Sequence, residues 1–121
     1  MKLMLVDENP AMRRMLRTIV AEADDTIVEC GDGAEVLAAY LAHTFSAEDW
    51  VLMDVRMSVV GGIQATAQLK AHFPDAQVLI VTNYDDPALR AAAQQAGASA
   101  FITKDNLLAV RAWLRPAADR P

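Results

Sequence analysis

Five short apolar runs, at residues 3–6, 26–30, 50–53, 78–81 and 100–102, are separated by longer stretches with a helical repeat. The first, third and fourth are almost unbroken Val, Leu, Ile and Met, the pattern of strands covered on both faces. Between them, Met12, Met15, Leu16, Ile19, Val20 and Ala23 fall on one helical face, with Arg13, Arg14 and Arg17 mostly on the other. Val36, Leu37, Tyr40 and Leu41 draw a second face, and Ile63, Ala67 and the stretch to Phe73 a weaker third. Leu89, Ala92, Ala93 and Ala96 draw a fourth, and Leu107, Leu108, Arg111 and Leu114 a short fifth. The strict alternation predicts βαβαβαβαβα, and right-handed crossovers then place helices on both faces of one parallel sheet.

The punctuation agrees with this order. Asn9-Pro10 and Asp86-Pro87 each set a capping side chain before a proline at the first helical position. Asp32 and Glu35 have capping-box spacing, and Gly97 stands where a left-handed residue ends the fourth helix. Asp105 or Asn106 is expected to cap the fifth. Residues 31–36 begin like a dinucleotide fingerprint, but Val36 takes the place of its last glycine, so they predict a helix-initiating turn. Residues 116–121 read as a tail or the start of a linker.

Composition narrows the classes. At 54% apolar and 22% charged the chain is globular, and its 121 residues suffice for one core. With 16 acidic against 11 basic residues, net charge −5, it lacks the basic footprint for direct nucleic-acid contact or for an anionic membrane surface. The single cysteine, Cys30, excludes an internal disulfide and reads as a small buried hydrophobe. No apolar run approaches the roughly 18 residues of a membrane span, and Asp7 and Glu8 cut short any signal sequence, so a soluble cytoplasmic domain is expected. His43 and His72 read as solvated.

In a doubly wound sheet, ligands bind at the carboxyl ends of the strands. Asp7 and Glu8 follow the first run, Asp54 the third, Thr82 the fourth, and Thr103 and Lys104 the fifth. With strand order 2-1-3-4-5 the acids crowd together, which a hard divalent ion would relieve. Thr82 offers a hydroxyl and Lys104 a point charge for phosphoryl oxygens, so the set suits phosphoryl transfer onto a carboxylate.

The segments Leu-Val-Asp7-Glu8-Asn-Pro, Val-Leu-Met-Asp54-Val-Arg-Met, Ile-Val-Thr82-Asn and Ala-Phe101-Ile-Thr-Lys104-Asp together resemble the receiver domain of bacterial two-component response regulators. The resemblance spans residues 1–115 and implies a single flavodoxin-like (βα)5 fold. It implies Asp54 as phospho-acceptor and Asp7, Glu8, Asp54 and the backbone carbonyl of Arg56 as Mg2+ ligands. Thr82 and Lys104 would contact the phosphoryl group, and Thr82 with Phe101 would form the switch, though a strand aromatic also fits as plain core. Arg56 and Tyr84, two residues past Asp54 and Thr82, would tune dephosphorylation through water access. The implied function is a regulator rather than an enzyme. A sensor histidine kinase or phosphotransfer protein would donate the phosphoryl group, with a docking role for Arg13, Arg14 and Arg17. The output face would be the fourth helix, fifth strand and fifth helix, with homodimerisation on phosphorylation and no membrane contact.

Departures from the family pattern are informative. The second acid is Glu8 where Asp is usual, and Ser58 stands where proline usually follows Met57, predicting a more mobile loop. Asp105 replaces the proline that commonly follows Lys104. That residue and the run Tyr84-Asp-Asp resemble the branch with LuxR-type helix-turn-helix outputs, which implies transcription control through a domain outside this sequence. The alternatives are a receiver that acts alone by protein binding, and a phosphatase of the haloacid-dehalogenase type. The latter wants a second aspartate where Arg56 stands.

Overall fold

The computed structural model describes residues 1–116. The expected tail falls almost wholly outside them. Strands β1 (Lys2–Val6), β2 (Thr26–Cys30), β3 (Trp50–Met53), β4 (Gln77–Thr82) and β5 (Ala100–Thr103) alternate with helices. These are α1 (Pro10–Val20), α2 (Val36–Ala42), α3 (Gly62–His72), α4 (Pro87–Ala96) and α5 (Leu108–Leu114), with a 3-10 turn at Gly33–Glu35 before α2. All strand pairs are parallel and the order is β2-β1-β3-β4-β5, as the alternation predicts.

Because successive strand residues point to opposite faces, the sheet builds two cores. Leu3, Leu5, Trp50, Leu52, Leu79, Val81 and Ile102 pack with Leu16 and Val20 of α1 and with Leu107, Val110 and Leu114 at α5. Met4, Val6, Val51, Met53, Val78 and Ile80 pack on the other face with Val36, Tyr40, Ala65, Leu69 and Ala93 from α2, α3 and α4. The chain reverses its winding between β1 and β3, so the crevice beyond the ends of these two strands is the topological switch point.

The caps at Asn9, Asp86 and Gly97 form as expected, Gly97 with φ of 103°. Glu35 accepts the Gly31 amide at 3.0 Å while Asp32 accepts that of Ala34, a capping box displaced by one residue. The cap expected at Asp105 or Asn106 does not form. α5 begins from Leu107 without a side-chain cap, and the Asp105 carboxylate takes the Thr103 hydroxyl instead.

Four helical faces differ from the periodicity. Met15 is exposed, and α1 ends at Val20, leaving Ala23 in a turn, because the Arg115 guanidinium takes the Val20 carbonyl. Leu41 and Leu108 also face outward, since these seven-residue helices bury only Val36 with Tyr40, and Val110 with Leu114. The buried stripe of α3 is Gly62, Ala65, Thr66 and Leu69, while Ala67 is exposed.

Candidate functional site

The ladder carries Asp7, Asp54 and Lys104 one step beyond their strands and leaves Thr82 as the last residue of β4. The Asp7 amide donates to Cys30 at 3.1 Å, that of Asp54 to Val6 at 2.9 Å, and that of Lys104 to Thr82 at 2.8 Å. Asp7, Asp54, Thr82 and Lys104 therefore stand along one edge at fixed height. Lys104 Nζ reaches back over it, 2.8 Å from Asp7 Oδ2 and 3.5 Å from Asp54 Oδ1. The other oxygen of Asp7 accepts the Asn9 amide at 2.9 Å, which fixes the carboxylate at the start of α1.

The electrostatics follow from crowding. Burial, and secondarily the charge of Asp7, push the Asp54 carboxyl above its ordinary range, against the opposing pull of Lys104. The buried carboxylate of Asp7 and the part-buried one of Asp54 share one ammonium, so the cluster is left with excess negative charge. That donor set fits a small hard cation, which takes one or two carboxylates and completes its shell with water.

Glu8 does not join them. Its side chain is exposed, and its Oε2 accepts the Ser58 hydroxyl at 2.7 Å. Among the described residues, no three acidic, His or Cys side chains converge as a metal cluster. The loop carrying Ser58 is tied down despite its lost proline. Asp32 accepts the amides of Val59 and Val60 at 2.9 Å each, and these bonds, with that of Ala34, hold its carboxyl low. Gly33 approaches Val60 so closely that a Cβ there would lie 2.4 Å from the carbonyl oxygen.

Thr82 is fully buried, and its Oγ1 accepts the Tyr84 amide at 3.3 Å, leaving its own hydrogen to donate. The Arg56 guanidinium lies 3.9 Å from the centre of the Tyr84 ring, so the two tuning candidates form a cation–π pair. Phe101 is half-buried beneath the Arg90 guanidinium, 4.7 Å from its ring centre, beside a cavity of about 390 Å³ between α4 and β5.

Arg13, on the face of α1 opposite its apolar stripe, turns inward, donating to the Asp7 carbonyl and, at 2.8 Å, to Glu29. Only the acid at Glu29, on the neighbouring strand, could have hinted at this. Cys30 is buried and its thiol is pushed up to about 11, chiefly by burial, so it is inert.

The sequence and the fold have counterparts among known proteins. A family model, the response regulator receiver domain, matches residues 3–110. The chain belongs to this receiver family. The transcriptional regulatory protein YhcZ of Bacillus subtilis is 36% identical over 105 residues, covering 87% of this chain and 49% of YhcZ. The chemotaxis protein CheY of Halobacterium salinarum is 31% identical over 103 residues, covering 85% of this chain and 83% of CheY. The chain thus spans about half the length of YhcZ and of similar regulators. Among solved structures, a LuxR-family two-component response regulator from Aurantimonas sp. SI85-9A1 is 32% identical with TM-score 0.82, covering 98% of this chain and 86% of that one. The signal receiver domain of NarL from Mycobacterium tuberculosis superposes with TM-score 0.80 at 28% identity, covering 98% and 97%. As a receiver domain the chain is a component of response regulation, related both to CheY and to transcriptional regulators. No helix among its described residues is long and apolar enough to cross a membrane.

Proposed function

We propose that this receiver accepts a phosphoryl group on Asp54 from a phosphohistidine of a sensor histidine kinase or phosphotransfer protein. The observation that carries the reading is the Lys104 ammonium held between Asp7 and Asp54. An oxygen of Asp54 attacks phosphorus; the new O–P bond replaces the P–N bond, and the imidazole leaves with the electron pair. Lys104 neutralises charge on the phosphoryl oxygens, and the Thr82 hydroxyl donates to one of them. Asp7, Asp54 and the backbone carbonyl of Arg56 would hold Mg2+, with Glu8 within the same loop cluster. The ion would neutralise charge between the acids and the phosphoryl group.

Movement of Thr82 toward the phosphoryl group frees space for Phe101, whose release from Arg90 remodels the α4–β5–α5 face. That face then passes the signal on, through homodimerisation or through an output domain outside these residues that controls transcription. The activity is that of a cytoplasmic regulator whose own chemistry is limited to self-phosphorylation and autodephosphorylation.

The test is intact mass after incubation with acetyl phosphate. Mg2+-dependent gain of one phosphoryl group is expected in the wild type and none in Asp54→Ala; modification that survives the substitution overturns the reading. The Arg56–Tyr84 pair bars water from the acyl phosphate. Arg56→Ala or Tyr84→Ala should therefore shorten the phosphoryl lifetime about tenfold, and the double variant little more, because either change opens the same lid. Lifetimes equal to the wild type in all three variants would remove the lid from the account.

A further inference from the structure

The two departures from the family pattern near Asp54, Glu8 and Ser58, lie on separate loops and are bonded to each other at 2.7 Å. We infer that Ser58 is a positioning residue: a latch that holds the Glu8 carboxylate apart from the Asp7–Asp54–Lys104 cluster until a divalent cation draws it in. The inference rests on the reading of this cluster as a Mg2+ site.

Three features make the bond a latch rather than an incidental surface contact. The first is anchorage. The two residues after Ser58 donate their amides to Asp32 at 2.9 Å each, and Val60 accepts the Gly33 amide at 3.2 Å. The hydroxyl is therefore presented from a loop clamped to the neighbouring turn. A proline at position 58 would have stiffened the loop but offered no donor; here Asp32 stiffens it and the serine keeps its hydroxyl.

The second is reach. Glu carries one more rotatable bond than Asp, so a free Glu8 would sample both the rim and the cluster, with the entropy that such a side chain loses on ordering. A single charge-assisted bond from a fixed hydroxyl selects the rim. The third is need. Asp7 and Asp54 already exceed the charge of Lys104, so a third carboxylate is unwelcome there without a cation, and among the described residues none joins them. Entry of the cation reverses that preference, and breaking the Ser58 bond then becomes a cost charged to metal binding.

The experiment measures Mg2+ affinity by titration calorimetry on the unphosphorylated protein. Ser58→Ala is expected to bind Mg2+ about three- to tenfold tighter than the wild type, the net worth of one ordinary solvent-exposed hydrogen bond. In a Glu8→Ala background the same substitution should change nothing, since there is no carboxylate left to hold. Amide shifts of Val59 and Val60 on Mg2+ addition should likewise be smaller in Ser58→Ala than in the wild type. Unchanged or weaker Mg2+ binding by Ser58→Ala overturns the latch while leaving the metal site intact. Absence of Mg2+ binding in both the wild type and Ser58→Ala overturns the metal reading and the latch together.

Discussion

Asp54 is held where its charge is least welcome. Burial and the neighbouring Asp7 raise its carboxyl above the ordinary value of 3.8, more than Lys104 restrains it. The folded state therefore favours the protonated form, and ionisation costs stability as pH climbs from 3.8 through the raised value. At pH 7 that cost is fully present. Asp54→Asn keeps the shape and removes the charge, so it should stabilise the domain at pH 7 by about 1 kcal/mol, roughly 4 °C in Tm. Thermal melts across pH should show the gain vanish below pH 3.8. A variant no more stable at pH 7 would mean that Lys104 already balances both acids. The same crowding explains what could be read from residues alone. Asp7, Asp54 and Thr82 directly follow an apolar run and Lys104 comes one residue later, so strand order brought them together without further information. Glu8 and Arg13 could not be placed this way. Their partners, Ser58 and the Asp7 carbonyl, depend on which way a long side chain turns, and local pattern carries no trace of that choice.

At the scale of elements, strands were legible to within a residue because β1, β3 and β4 are buried on both faces and read as almost unbroken apolar runs, while β2 and β5 keep short apolar stretches between turns. Helices were harder, and α3 shows why. Its buried stripe, Gly62, Ala65, Thr66 and Leu69, is made mostly of small side chains, so a hydrophobicity pattern misses it. The small residues let the helix press on the sheet. Gly62 donates its amide to Val55 at 2.8 Å, and a Cβ on it would lie 1.9 Å from the Asp54 carbonyl oxygen and 2.9 Å from the Met53 side chain. Thr66, fully buried, returns its hydroxyl to the Gly62 carbonyl at 2.7 Å. The start of α3 is thus fastened to the backbone of Asp54. Gly62→Ala should cost about 3 kcal/mol by overpacking against rigid backbone. It should also slow modification of Asp54 more than its stability loss explains, because relief of the clash must shift residues 54–55. Gly61→Ala, whose Cβ would lie 3.1 Å from the Val55 oxygen, should be milder. Chemical denaturation paired with phosphorylation rates checks both, and equal costs at the two glycines would contradict the fastening.

Across the whole molecule, the acidic site at one end of the sheet is matched by an ionic clamp at the other. Arg115, just past α5, donates to the Val20 carbonyl at 2.8 Å, pairs with Glu22 at 2.7 Å and meets Asp25. Asp25 also accepts the Glu22 amide at 2.8 Å and the amino group of Met1 at 3.2 Å. The end of α5, the end of α1 and the start of β1 are joined through one side chain that is 4% exposed. Burial alone would raise the Asp25 carboxyl, but the Glu22 amide, the Met1 amino group and Arg115 together hold it below the ordinary 3.8. Its contribution is therefore complete above pH 3.8 and is lost as pH falls through the lowered folded value. Asp25→Asn should cost about 2 kcal/mol at pH 7, roughly 8 °C in Tm, because the mostly buried Arg115 guanidinium loses the charge of its buried carboxylate partner. The deficit should close as pH falls below 3.8 through the lowered folded value, whereas the Asp54→Asn effect is opposite in sign and changes above pH 3.8. Phosphoryl transfer to Asp54 should be unaffected at pH 7, since the clamp lies beyond the amino ends of the strands. A deficit that persists at low pH would show that Asp25 acts through packing and not through its charge.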